Sequence, residues 1–75
     1  MISTIYIELG KLIKKRRMEL SISQEELSWR CGINVNSLGR IERAEGEFLV
    51  ATLFKIFKEL NIDFCELNKF YDIRN

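Results

Sequence analysis

The sequence predicts an all-α fold, consecutive short helices packed into one small domain. Three observations carry that expectation. Apolar residues recur at spacings of three, four and seven, the period of helices that bury one face. The alternating apolar and polar runs of a small β-domain are missing. The chain has 75 residues, 47% of them hydrophobic and 31% charged, which suffices for one thin core and not for two. With no proline, this composition also excludes disorder and low complexity. No apolar stretch approaches the roughly 20 residues of a membrane span. The start, MISTIYIELGKLIKKRR, lacks the order of a secretory signal. The expectation is a soluble, cytoplasmic protein with no membrane partner.

The elements follow in order. Ile5, Leu9, Leu12, Ile13 and Leu20 share one helical face and predict a first helix over Thr4–Leu20. Ser23 then precedes Gln24-Glu25-Glu26, a capping-box pattern with acids where the helix dipole favours them. It opens a second helix, Gln24–Cys31, that Gly32 stops. Asn34 is a good N-cap for a third helix over Val35–Ala44, and Glu45-Gly46-Glu47 reads as a loop. A fourth helix, Val50–Leu60, carries Leu53, Phe54, Ile56, Phe57 and Leu60. It is almost apolar all round, which predicts the central, most buried helix. Asn61 ends it. Asp63 caps a fifth segment with an apolar stripe of Phe64, Leu67, Phe70 and Tyr71.

Charge and cysteine usage narrow the chemistry. The formal net charge is +1, but Lys11, Lys14, Lys15, Arg16 and Arg17 form an acid-free basic run. Between Glu42 and Glu47, three glutamates face Arg43 alone. A basic run is most commonly a solvated helix face, and a near-neutral balance is weak support for nucleic-acid binding. Cys31 and Cys65 stand apart and histidine is absent, which excludes the common zinc spacings and Cys–His or Ser–His catalysis. Both cysteines sit at core spacing and read as buried apolar residues. The chain is expected to be no enzyme and to need no cofactor and no metal.

The segment Gln24–Arg43 meets the demands of a helix-turn-helix, two helices crossing steeply through a tight turn. The crossing point requires a small residue, here Ser28. The turn requires a residue tolerant of positive φ, here Gly32. The core slots require apolar residues, here Leu27, Cys31, Ile33, Leu38 and Ile41. All seven are filled at fixed offsets.

With LGKLIKKRR ahead of SISQEELSWRCGINVNSLGRIER and TLFKIFKELNID after it, the chain resembles the Cro/C1 (XRE) class of helix-turn-helix repressors from about Leu9 to Leu67. Its size and C-terminal ending also resemble, less specifically, the controller proteins of restriction–modification systems. The resemblance implies a five-helix, lambda-repressor-like domain and a homodimer held largely by the last segment, about residues 63–75. It also implies binding to palindromic operators in double-stranded DNA, as a repressor and sometimes as an activator. Carried over by position, Val35, Asn36 and Arg40 match slots that reach base edges in the major groove, where asparagine suits adenine and arginine suits guanine. Gln24, Ser37, Arg43 and Lys14 match or adjoin backbone-contact slots. Arg17 and Glu42 match an internal salt bridge, and Phe64, Leu67, Phe70 and Tyr71 fall in the dimer segment.

Blander readings stand beside these roles: first-turn residues for Asn36 and Ser37, a helix former for Gln24, a solvated side chain for Arg40. Trp29 falls on the solvent face of the second helix. There it either packs under a neighbouring segment or forms a protein-contact patch with Glu25 and Glu26, the face a polymerase would meet. Three features depart from the family pattern. Arg16 replaces a large apolar residue, Gly39 sits inside the recognition helix, and the loop Ala44-Glu45-Gly46-Glu47 puts acids where relatives often carry Lys, Arg or Asn. The Glu45/Glu47 loop and an exposed Trp29 favour the competing reading, a protein-interaction module of antitoxin-like or antirepressor-like kind on the same fold.

Overall fold

The computed structural model describes residues 4–67, and there the chain forms four α-helices: α1 (Thr4–Glu19), α2 (Gln24–Cys31), α3 (Val35–Glu42) and α4 (Val50–Leu60). The segment expected as a fifth helix is, in its described part, a single 3-10 turn over Phe64–Leu67. Asp63 starts that turn as predicted, its Oδ1 accepting the amide of Cys65 at 2.8 Å. Phe70 and Tyr71 lie outside the described residues.

One device ends all four α-helices. One or two residues past each helix the backbone takes positive φ, at Ser21 (57°), Gly32 (68°), Ala44 (57°) and Asn61 (56°). The amide of that residue and the next one donate to carbonyls three and five residues back, as in Ser21 to Met18 with Ile22 to Arg17, and Ala44 to Ile41 with Glu45 to Arg40. This double bond satisfies carbonyls that the helix leaves without partners. The αL turn at Ala44 explains why α3 stops at Glu42, two residues before the spacing suggested. An apolar residue usually follows in this motif, and Ile22, Ile33 and Ile62 do so here, packed in or against the core. After α3 the same place holds Glu45.

The core draws on every helix: Leu9 and Ile13 from α1, Leu27 and Cys31 from α2, Leu38 and Ile41 from α3, Ile56, Phe57 and Leu60 from α4. Helices α3 and α4 pack on both α1 and α2. Gly10 makes the closest approach. A Cβ there would lie 2.7 Å from the carbonyl oxygens of both Ile41 and Glu42, so only glycine lets α1 touch the end of α3.

The apolar patterning overstated burial at three places. Helix α4 is not apolar on every buried side, since Val50 and Phe54 are 64% and 53% exposed. Its inner face is Ile56, Phe57 and Leu60, with Leu53 half-buried beside them. Leu20 lies beyond α1 and is exposed. Cys31 is buried as expected, but Cys65 is exposed on the 3-10 turn.

Candidate nucleic-acid interface

The α2–α3 pair is built as its sequence demands. Ser23 caps α2, its Oγ accepting the Glu26 amide at 3.0 Å. The reciprocal half of the capping box is not made, because the Glu26 carboxylate takes Arg30 Nε at 2.8 Å instead. Ser28 is buried at the crossing, and its hydroxyl is satisfied by donating to the Glu25 carbonyl at 2.9 Å. Gly32 supplies the left-handed turn. Asn34 caps α3 by accepting the Asn36 amide at 2.7 Å.

A polar network fixes the pair against α1. Arg17 grips Glu42 side-on, Nε to Oε2 at 2.7 Å and Nη2 to Oε1 at 3.1 Å, while its Nη1 donates to the Ile22 carbonyl at 2.8 Å. Gln24 Nε2 donates to Glu42 Oε1 at 3.0 Å. The Arg17 and Glu42 side chains are only 11% and 2% exposed. The network therefore joins α1, the loop after it, the first residue of α2 and the last residue of α3. Gln24 is drawn into this buried network through its amide nitrogen, rather than standing free at the tip of α2.

Outward from that scaffold, α3 presents Asn36, Ser37 and Arg40 as exposed side chains, with Val35 half-buried at its start. One face thus carries a methyl contact, an amide, a hydroxyl and a guanidinium. On α1, Lys14 is exposed, whereas two of the five basic residues are used internally. Arg17 is in the network. Arg16, half-buried, donates from Nε to the Leu60 carbonyl at 3.0 Å. That hydrogen bond caps the end of α4 and gives an arginine a role where an apolar residue was expected, its head on a carbonyl that the helix leaves without a partner.

The end of α3 holds what the sequence did not reveal. Arg43 and Glu45 form a second side-on fork, Nε to Oε2 at 2.8 Å and Nη2 to Oε1 at 3.1 Å. Each holds the other's charged form: the hydrogen bond from Arg43 lowers the carboxyl pKa of Glu45, and that from Glu45 raises the guanidinium pKa of Arg43. Gly39 makes room for this pair, since a Cβ there would lie 3.0 Å from Arg43 Nη1. A side chain at position 39 would make this guanidinium give way by a few tenths of an ångström. Beside the fork, Ser37, Arg40, Glu45, Gly46, Glu47, Phe48 and Thr52 help line a hollow of about 230 Å³. Glu47 forms no ion pair or hydrogen bond among the described residues.

Trp29 is 78% exposed on the outer side of α2, so no neighbouring segment among the described residues covers it. In the segment expected from the sequence to dimerise, the Phe64 ring packs within its own chain, 4.8 Å from both Phe54 and Phe57, and remains 40% exposed. Among the described residues no group of His, Cys, Asp and Glu is placed to hold a metal ion, and no helix is long and apolar enough to cross a membrane.

A family model described as helix-turn-helix matches residues 13–67, from the middle of α1 to the end of the 3-10 turn. No curated protein matches the sequence.

Proposed function

The chain belongs to the Cro/C1-type (XRE) helix-turn-helix family of DNA-binding transcription regulators, and from that premise we propose that it binds a palindromic operator as a homodimer with α3 in the major groove. The observation that carries this reading is the contrast within α2–α3. Leu27, Ser28, Cys31, Leu38 and Ile41 are buried at the crossing and Ile33 packs against them, while Asn36, Ser37 and Arg40 are left exposed on one face. Asn36, whose side chain makes no hydrogen bond among the described residues, reads adenine, Arg40 reads guanine, and Val35 meets a thymine methyl. Ser37, Lys14, Arg43 and Gln24 hold the backbone, Gln24 through the amides that open α2.

Two copies are needed because one recognition helix spans only a few base pairs, whereas two a helical turn apart read a palindrome. The dimer uses the C-terminal segment, where Phe64 and the neighbouring Phe54 keep apolar surface in water, together with Leu67, Phe70 and Tyr71. Occupying an operator represses by exclusion. Activation runs through the Glu25, Glu26 and Trp29 face of α2, which stays clear of the duplex and meets RNA polymerase.

Selection of binding sites from random duplex DNA tests the reading. A two-fold symmetric consensus is expected, and Asn36→Ala should cost roughly 1–3 kcal/mol on it with little loss on random DNA. Equal losses on both duplexes sink the base-reading role of Asn36. A second reading, a protein-interaction module with weak DNA affinity, is favoured by the neutralised Arg43 and the exposed Trp29. Salt separates the two, because duplex binding must weaken steeply as counterions are released.

A further inference from the structure

We propose that Glu45 is a specificity-determining residue of this regulator: its carboxylate occupies the Arg43 guanidinium as a built-in stand-in for phosphate, and only a duplex that seats α3 displaces it. The proposal rests on the DNA-binding reading above and deepens it. A carboxylate and a phosphate offer a guanidinium the same pair of oxygens, and Glu45 takes the Nε and Nη2 edge that a backbone phosphate would use.

The fork is set up by the backbone and does not depend on a chance meeting of two long side chains. Ala44 in the left-handed region turns the chain, and the Glu45 amide is fastened to the Arg40 carbonyl at 2.8 Å. Where the other three helix ends place isoleucine, this one places a carboxylate. Gly39 leaves the space into which the guanidinium folds. The hydrogen bonds favour the ionised form of each partner.

The pair is also exchangeable, the two side chains being 58% and 52% exposed. An ion pair in water is weak and is screened by salt. A phosphate that drifts past on a random duplex must compete with a carboxylate tethered two residues away, at high effective concentration. A phosphate held over Arg43 by a seated recognition helix is tethered as well, and it wins the exchange. Glu45 therefore subtracts one backbone contact from random DNA and little from the operator.

The test compares Glu45→Gln with Glu47→Gln on the selected operator and on a random duplex across a salt series. Both substitutions remove one negative charge from the same loop, but only the first opens the fork. Glu45→Gln is expected to tighten random-duplex binding roughly tenfold at low salt and to steepen its log–log salt slope by about 0.9, the signature of one added phosphate contact. Operator affinity should rise less, so the specificity ratio falls. Glu47→Gln should shift both duplexes equally and leave the slope unchanged. In an Arg43→Ala background, the Glu45→Gln effect should shrink to that of Glu47→Gln. Equal effects of the two substitutions, or an operator gain as large as the random-duplex gain, overturn the proposal alone. Failure of the wild-type chain and both variants to bind any duplex overturns the DNA-binding reading, and this proposal with it.

Discussion

Two arginine–glutamate forks meet at the end of α3, at the adjacent residues Glu42 and Arg43, with nearly the same shape. Arg17 and Glu42 are joined at 2.7 and 3.1 Å, Arg43 and Glu45 at 2.8 and 3.1 Å, each through Nε and Nη2. Their surroundings are opposite. The first pair is almost entirely out of water and its spare donors and acceptors are taken by Ile22 and Gln24. The second is more than half in water. Geometry alone therefore says nothing about what an ion pair does. A buried fork cannot lose a partner without stranding a charge in the core. An exposed fork of the same form can open and close, and so can hold a cation in reserve.

The largest effect is expected from breaking the buried fork. Glu42→Ala should lower the unfolding free energy by roughly 3–5 kcal/mol in urea denaturation, because Arg17 is left buried without its counter-charge. A loss below about 1 kcal/mol would mean that water reaches Arg17, and the contrast between the forks would fall. Next in size is Gly10→Ala, which strikes the seam beside that fork. Alanine favours a helix interior by about 1 kcal/mol, but here its methyl would press on two backbone carbonyls that cannot swing aside. A net loss of about 1–3 kcal/mol is expected, read as a lowered melting midpoint, and a gain would show that α1 shifts freely. Ala44→Gly tests the turn that sets up the exposed fork. Relief of the left-handed strain outweighs the added freedom of the unfolded chain, for a gain of about 0.5–1 kcal/mol. Glu45→Gln, by contrast, should leave the melting midpoint at neutral pH unchanged while altering DNA binding as described above.

The same contrast of buried and exposed applies to the thiols, where the effect is smallest. Burial raises the pKa of Cys31, and the hydrogen bond with Asp63 raises that of Cys65. A thiol whose pKa is raised on folding stabilises the fold below its unfolded value of 9.0 and loses that contribution as pH rises through the folded value. Stability should therefore decline gently in alkali. At pH 8 a thiol reagent should modify Cys65 in the folded chain and Cys31 only after urea is added. Simultaneous reaction of both would show that the core around α2 opens readily.

Much of this arrangement can be read directly from the residues. Ser23, Ser28, Gly32 and Asn34 each announce a local backbone requirement, and the bounds of α2 and α4 follow from them and from Asn61. Other features depend on contacts no local rule contains. Gly10 resembles any small residue on a helix until the end of α3 is brought against it. Arg16 looks misplaced until the free carbonyl of Leu60 is known. Phe54 and Cys65 have core spacing, but a domain this small has too few elements to cover every apolar side. The Arg43–Glu45 fork stayed hidden because nothing near Ala44 signals positive φ, as Gly32 does for the preceding turn. Without that turn, residues two apart would point away from one another.

Trp29 has an optical consequence. It is the chain's single tryptophan, and its indole stands 78% in water. Its emission should therefore be that of a solvated indole whether the chain is folded or not, leaving denaturation nearly silent by fluorescence and the native protein open to soluble quenchers. That blindness to unfolding makes it a clean reporter of contact. A protein landing on the outer side of α2 will dry the ring, shift its emission to the blue and shield it from quencher. A duplex held by α3 alone will leave the spectrum where it was.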